Sequence, residues 1–167
     1  MDTAAKIARF KKENNAILVA HTYQSPEVQD FADVIGDSFA LAQKAAQSSA
    51  DVVLMCGVRF MAEGVKILSP DKRVILVEPT ADCPMARQIA PERVAEFRAA
   101  HPDYAIVAYI NTMAELKAVC DVCVTSSSAV KIVRALPQDK ILFIPDQNLG
   151  DYVRRQVPEK TIVTWDG

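Results

Sequence analysis

A chain of 167 residues, half of them apolar, is long enough to bury a full core or two smaller ones. Its 19 basic and 21 acidic residues leave a net charge of −2 and no dense basic run, which excludes a nucleic-acid surface. No apolar run approaches the roughly 20 residues of a membrane span. Residues Met1-Asp2-Thr3 open straight into an amphipathic pattern without a signal-peptide core, and four scattered cysteines point to a reducing, cytoplasmic setting.

In chain order, Ala4, Ile7, Ala8 and Lys11 form one stripe of a first helix behind an Asp2/Thr3 cap. Ala16–Ala20 is a continuous apolar strand of the kind buried in a parallel sheet, and it ends in the polar, aromatic loop His21-Thr22-Tyr23-Gln24-Ser25-Pro26. Residues 27–35 read as a short helix, and Gly36-Asp37-Ser38 breaks it and starts the next one, Phe39 to about Ser48. Val52–Cys56 is a second strand. The stripe Val58, Met61, Ala62, Val65 and Leu68 marks a helix stopped by Ser69-Pro70, and VILV at 74–77 is a third strand. That strand runs through Glu78-Pro79 into a polar loop that delivers Cys83 just before Pro84.

The second half follows the same plan. Pro91 opens a helix with Val94 and Phe97 inward, ended at His101-Pro102, and Ala105–Ile110 is a strand ending at Tyr109-Ile110-Asn111. A helix over 113–119, a strand over Val122–Val124, the loop Thr125 to Ser128, and a helix through Val130, Val133 and Leu136 come next. The strand ILFI, a helix over Gln147–Gln156 and the strand TIVTW complete it. Laying DVVLMC over DVCVTS pairs Asp51 with Asp121, 70 residues apart, and Arg73 with Lys140, 67 apart. An internal repeat of one βαβαβ unit follows, with α/β domains of three αβα layers and parallel sheets over residues 1–83 and 84–167.

Parallel strands put their carboxyl ends, where open α/β sheets bind ligands, on one edge of each unit. His21, Tyr23, Cys56, Cys83, Tyr109, Asn111, Ser126 and Asp146 all fall on such edges. Cys56 and Cys123 sit inside apolar strands and read as small buried hydrophobes. Cys120 and Cys123 form a C-x-x-C that runs from a helix end into a strand, which does not require the thiols to face each other. Cys83 stands apart in a polar loop, where a thiolate attacks a substrate or holds a metal. His101, at a helix end before proline, reads as a cap. Ser38 and Ser126–Ser128 begin helices, either as N-caps or as part of an anion site built from free amides and hydroxyls.

The strings AHTYQSPEVQDFADVIGDS, CGVRFMAEGVKILSPDK, DCPMA, AYINT, CVTSSSAVKIV and PDQNLGDYV resemble those of quinolinate synthase, over about residue 6 to the last. The resemblance implies three homologous αβα domains about a pseudo-threefold axis, each giving one cysteine to a single [4Fe–4S] cluster whose fourth iron stays open to substrate oxygen. It implies Cys83 as the first cluster ligand, and His21, Tyr23, Ser38, Tyr109, Asn111 and Ser126 as the substrate pocket, with Tyr23, His21 and Tyr109 in catalytic roles. The implied reaction condenses iminoaspartate, with L-aspartate oxidase as its supplier, and dihydroxyacetone phosphate to quinolinate for NAD biosynthesis. The remaining two cysteines and a third domain are expected beyond Gly167, so this chain is expected to be a truncated form, inactive alone. The competing reading is a non-catalytic α/β module that holds a phosphate or a partner protein at its helix starts.

Overall fold

The computed structural model describes residues 2–165. The chain divides between Cys83 and Pro84 into two compact units, each built on one four-stranded parallel sheet with helices packed on it. This is the repeated α/β architecture anticipated from the apolar strand runs.

In the first unit Asp2 accepts a hydrogen bond from the Ala5 amide and caps α1 (Thr3–Glu13). Asn15, at φ 45°, takes the left-handed turn that Asn tolerates and leads into β1 (Ala16–His21). α2 (Pro26–Gln29), β2 (Val34–Gly36), α3 (Ser38–Gln47), β3 (Val52–Cys56), α4 (Arg59–Leu68) and β4 (Arg73–Leu76) follow. The sheet order is β2-β1-β3-β4. Leu18, Ala20 and Cys56 pack with Ile7, Val28 and Phe31 on the α1/α2 side. The alternate residues Val19, Val53 and Met55 are fully buried and point the other way, where α3 and α4 bury Leu41, Ala45, Met61 and Val65.

Two expectations need correction here. Residues 27–35 are not one helix: α2 ends at Gln29, and Val34–Gly36 is a strand paired with Val19–His21 of β1. Pairing with a neighbouring strand outweighs local propensity, and three residues are too few to show a period. On α4 the inward face is Phe60, Met61 and Val65, while Val58 is the N-cap and Leu68 is 43% exposed.

The second unit begins with a 3-10 turn, Pro84–Arg87. Then come α5 (Pro91–Ala100), β5 (Tyr104–Tyr109), α6 (Ala114–Lys117), β6 (Val122–Val124), α7 (Ala129–Ala135), β7 (Lys140–Ile144), α8 (Gln147–Gln156) and β8 (Thr161–Thr164). Its order, β6-β5-β7-β8, matches the first unit strand for strand. Val107 and Phe143 join Ala129, Val133 and Val153 in one cluster, and Ile106, Ala108 and Leu142 join Val94 and Leu116 in the other. α8 lies so close to the sheet that a Cβ on Gly150 would come within 2.5 Å of Thr164 Cγ2, so only glycine fits there.

The equivalence of the units runs at a constant offset of 88 residues (121 − 33), not at 70 and 67. The Asp33 carboxylate accepts from the Leu18 amide, and that of Asp121 accepts from the Ile106 amide. Lys72 donates to the carbonyls of Ser48 and Ala50, and Lys160 donates to those of Leu136 and Gln138. The pairing of Asp51 with Asp121 was one strand out of register because β2, read as helix, was missing from the count.

Candidate functional site

The edge of the first unit is the loop after β1. His21 ends that strand and is 7% exposed. Its Nδ1 accepts a hydrogen bond from the Tyr23 amide at 3.2 Å, which leaves the proton of the neutral ring on Nε2. Burial lowers the His21 pKa below its ordinary 6.5, and the negative charge of Asp37 opposes that in part. The ring of Tyr23 meets that of His21 edge-on at 4.6 Å, yet Tyr23 is 91% exposed and its hydroxyl is open to a ligand. The loop is held from beneath by Gln29, whose side-chain amide donates to the carbonyls of Thr22 and Gln24.

Ser38 is the first residue of α3, and the cap is its neighbour: Asp37 accepts from the amides of Phe39 and Ala40. In the second unit the N-cap of α7 is Ser128, which makes no side-chain cap bond; Thr125 Oγ1 accepts from the Ser128 amide, and Ser126 lies exposed in the turn before α7. Thr125 stands 88 positions after Asp37, and Ser126 the same distance after Ser38. Ser38 therefore follows a cap that Asp37 makes, and Ser126 lies two residues before the N-cap of α7.

In the second unit Tyr109 ends β5, and its hydroxyl accepts from the Asn111 side-chain amide at 3.1 Å. At the 88-residue offset Tyr109 stands for His21 and Asn111 for Tyr23, so each unit presents a polar pair two residues apart at the end of its central strand. Lys117, the counterpart of Gln29, donates to the Thr112 carbonyl as Gln29 does to that of Gln24. Sequence reasoning missed Gln29, Lys117 and the buried Thr112; the correct repeat register is the signal that finds the matched pair.

Cys83 follows a loop ordered by Glu78, whose Oε1 accepts from the Thr80 hydroxyl and amide; these bonds lower the Glu78 pKa, the hydroxyl most. The Arg59 amide donates to the Ala81 carbonyl and ties that loop to the start of α4. Cys83 is half-buried, its own amide bonded to the Asp82 carboxylate. The other thiols lie in apolar surroundings. Cys56 is buried, and burial raises its pKa. Cys120 donates to the Leu116 carbonyl, and burial, with smaller pushes from Cys123 and Asp121, raises it to about 12. Burial also raises Cys123. Among the described residues no three His, Cys, Asp or Glu side chains gather as a metal site. Among them, too, no helix is long and apolar enough to cross a membrane.

Comparison with known proteins names the same family. The family model described as quinolinate synthetase A protein matches residues 5–167. The chain is 52% identical over 162 residues to a quinolinate synthase of Alkaliphilus metalliredigens, covering 97% of this chain and 54% of that protein. It is 52% identical to a quinolinate synthase of Aquifex aeolicus, with 97% and 50% covered, and 53% identical to one of Caldicellulosiruptor saccharolyticus, with 97% and 54% covered. The chain thus spans about half the length of the curated relatives it matches. With its paired parallel sheets and this match along nearly the whole sequence, the chain belongs to the quinolinate synthetase A family.

Proposed function

We propose that this chain forms two of the domains of a cytoplasmic quinolinate synthase, which condenses iminoaspartate, supplied by an L-aspartate oxidase, with dihydroxyacetone phosphate. The observation that carries the reading is the repeated placement, 88 residues apart, of His21 with Tyr109, Tyr23 with Asn111 and Ser38 with Ser126 at the carboxyl edges of two like sheets. Family membership supplies the reaction class.

The residues divide the work by chemistry. His21, neutral near pH 7 and carrying its proton on Nε2, donates a hydrogen bond to a substrate carboxylate or carbonyl oxygen. Tyr23, with an exposed hydroxyl, moves a proton during enolisation and dehydration, and Tyr109 serves the same end from the second unit. Asn111 and Tyr109 form a donor–acceptor pair that orients a polar group. Ser38, the first residue of α3, offers its hydroxyl to phosphate or carboxylate, and Ser126 adds a second hydroxyl.

Cys83 fits one place of a [4Fe–4S] cluster: it is a loop thiol with partial exposure, unlike the three thiols in apolar surroundings. Among the described residues no three such donors gather at Cys83, and the family resemblance assigns the other cluster thiolates to further chain. When bound, an iron with an open position supplies Lewis acidity for loss of hydroxide.

The test is complementation. A gene that joins the coding sequence of this chain to that of the third domain of a quinolinate synthase is introduced into a bacterium lacking the enzyme, which grows only on added quinolinate or nicotinate. Growth without the supplement is expected, and failure of an expressed protein to support it overturns the reading. Phosphate binding by a protein that never restores growth favours the non-catalytic module.

A further inference from the structure

We infer that Thr112 is a positioning residue: its buried hydroxyl locks the Tyr109–Asn111 loop to the 3-10 turn that Cys83 enters. Thr112 is 0% exposed, immediately follows Asn111, and donates from Oγ1 to the Ala86 carbonyl, 26 residues away, at 3.2 Å. Ala86 lies in the Pro84–Arg87 turn and is 1% exposed, so this bond is made where water does not substitute for it. The Thr112 carbonyl in turn accepts from Lys117 Nζ at 2.6 Å. One residue therefore joins three segments: the strand end bearing Tyr109 and Asn111, the start of α6, and the turn beginning one residue after Cys83.

The first unit shows what is added. There the corresponding loop has the carbonyl clamp alone, from Gln29 to Gln24, and Gln24 occupies the position of Thr112. Gln24 carries no hydroxyl with which to make the bond that Thr112 makes to Ala86. A threonine suits that place because its β-branched side chain has few rotamers and its hydroxyl reaches a fixed acceptor. This inference rests on the reading of Cys83 and the Tyr109–Asn111 loop as parts of one enzyme, but its physical core is testable without activity.

The experiment compares wild type, Thr112→Val and Thr112→Ser in this chain, by amide hydrogen exchange and by the rate at which iodoacetamide alkylates Cys83 in a Cys56→Ala/Cys120→Ala/Cys123→Ala background. Thr112→Val is expected to speed exchange at 85–88 and 110–112 roughly tenfold or more, the loss of one buried hydrogen bond. It is expected to raise alkylation of Cys83 and to leave exchange in β5 and β7 unchanged; Thr112→Ser should behave as wild type. Valine indistinguishable from wild type at 85–88, or serine as loose as valine, overturns the assignment. If the valine variant does not fold, serine decides: wild-type exchange supports the lock and raised exchange refutes it. In a complete enzyme the valine variant should lower kcat more than it raises KM, with serine restoring both. A normal exchange response in a protein without synthase activity leaves the lock intact and removes only its catalytic setting.

Discussion

The carboxylates of Asp33 and Asp121 occupy the same place in the two units. Each accepts a hydrogen bond from an amide inside the central strand, Leu18 at 2.8 Å or Ile106 at 2.7 Å, and each returns its own amide to that residue's carbonyl. Each also meets a cation from the helix before the central strand, Lys11 at 2.6 Å or Arg98 at 3.1 Å. The ion pairs are about two-fifths exposed on the acidic side and add little. The amide bonds join the edge strand to the central strand. Asp33→Ala and Asp121→Ala should each lower stability by about 1–2 kcal/mol, the cost of stranding a partly buried amide. Urea unfolding measures this, and a change in only one of the two variants would show that the repeat is not energetic.

Stability should depend on pH through His21. Its folded pKa lies below the ordinary 6.5 because burial disfavours the charged ring. Between those values the unfolded chain binds more protons than the folded one. The contribution is thus fully present above about pH 6.5 and is lost as pH falls through the folded value. Urea midpoints of wild type and His21→Gln should converge with falling pH over that window. Parallel curves would assign the acid sensitivity to other groups.

Ser38→Ala and Ser126→Ala should leave stability within about 0.5 kcal/mol, because Asp37 caps α3 and Ser126 is an exposed turn residue ahead of the N-cap of α7. Binding of dihydroxyacetone phosphate or of a dicarboxylate, measured by calorimetry on a complete enzyme, should weaken roughly tenfold to a hundredfold at each site. Unaltered affinity for both ligands would remove the serines from the pocket.

Tyr23→Phe removes one hydroxyl from a side chain that is 91% exposed, so the melting temperature should not change. Turnover of a complete enzyme should fall by roughly 10²–10⁴, the usual worth of a proton-transferring group, with iron content and substrate affinity retained. A phenylalanine variant that turns over normally would leave Tyr23 as a wall of the pocket.

Cys83→Ser in a protein that also carries the third domain should lose iron and activity while its far-ultraviolet circular dichroism is unchanged. Cys120→Ser and Cys123→Ser should keep their iron, since burial holds both thiols protonated. Iron analysis after anaerobic purification separates the cases; iron retained by the Cys83→Ser protein would refute its role as a ligand.

Long apolar runs with one meaning were legible from residue order alone. Ala16–Ala20, Val52–Cys56 and the ILFI strand are continuous and buried on both faces, and a run of that kind has no other stable place than a parallel sheet. The loops after them announced the edge positions His21, Tyr23, Tyr109 and Asn111, because side-chain chemistry at a strand end does not depend on distant contacts. The short edge strand Val34–Gly36 was not legible. Three residues carry no period, and what makes them a strand is pairing with Val19–His21 and the bond from Leu18 to Asp33. The repeat register went with it. Which residue caps α3 likewise waited on the fold, since Asp37 and Ser38 are equally good caps by residue type, and only backbone geometry chose Asp37. The Thr112 bond to Ala86 spans 26 residues, and no local pattern encodes a contact made by folding two segments together.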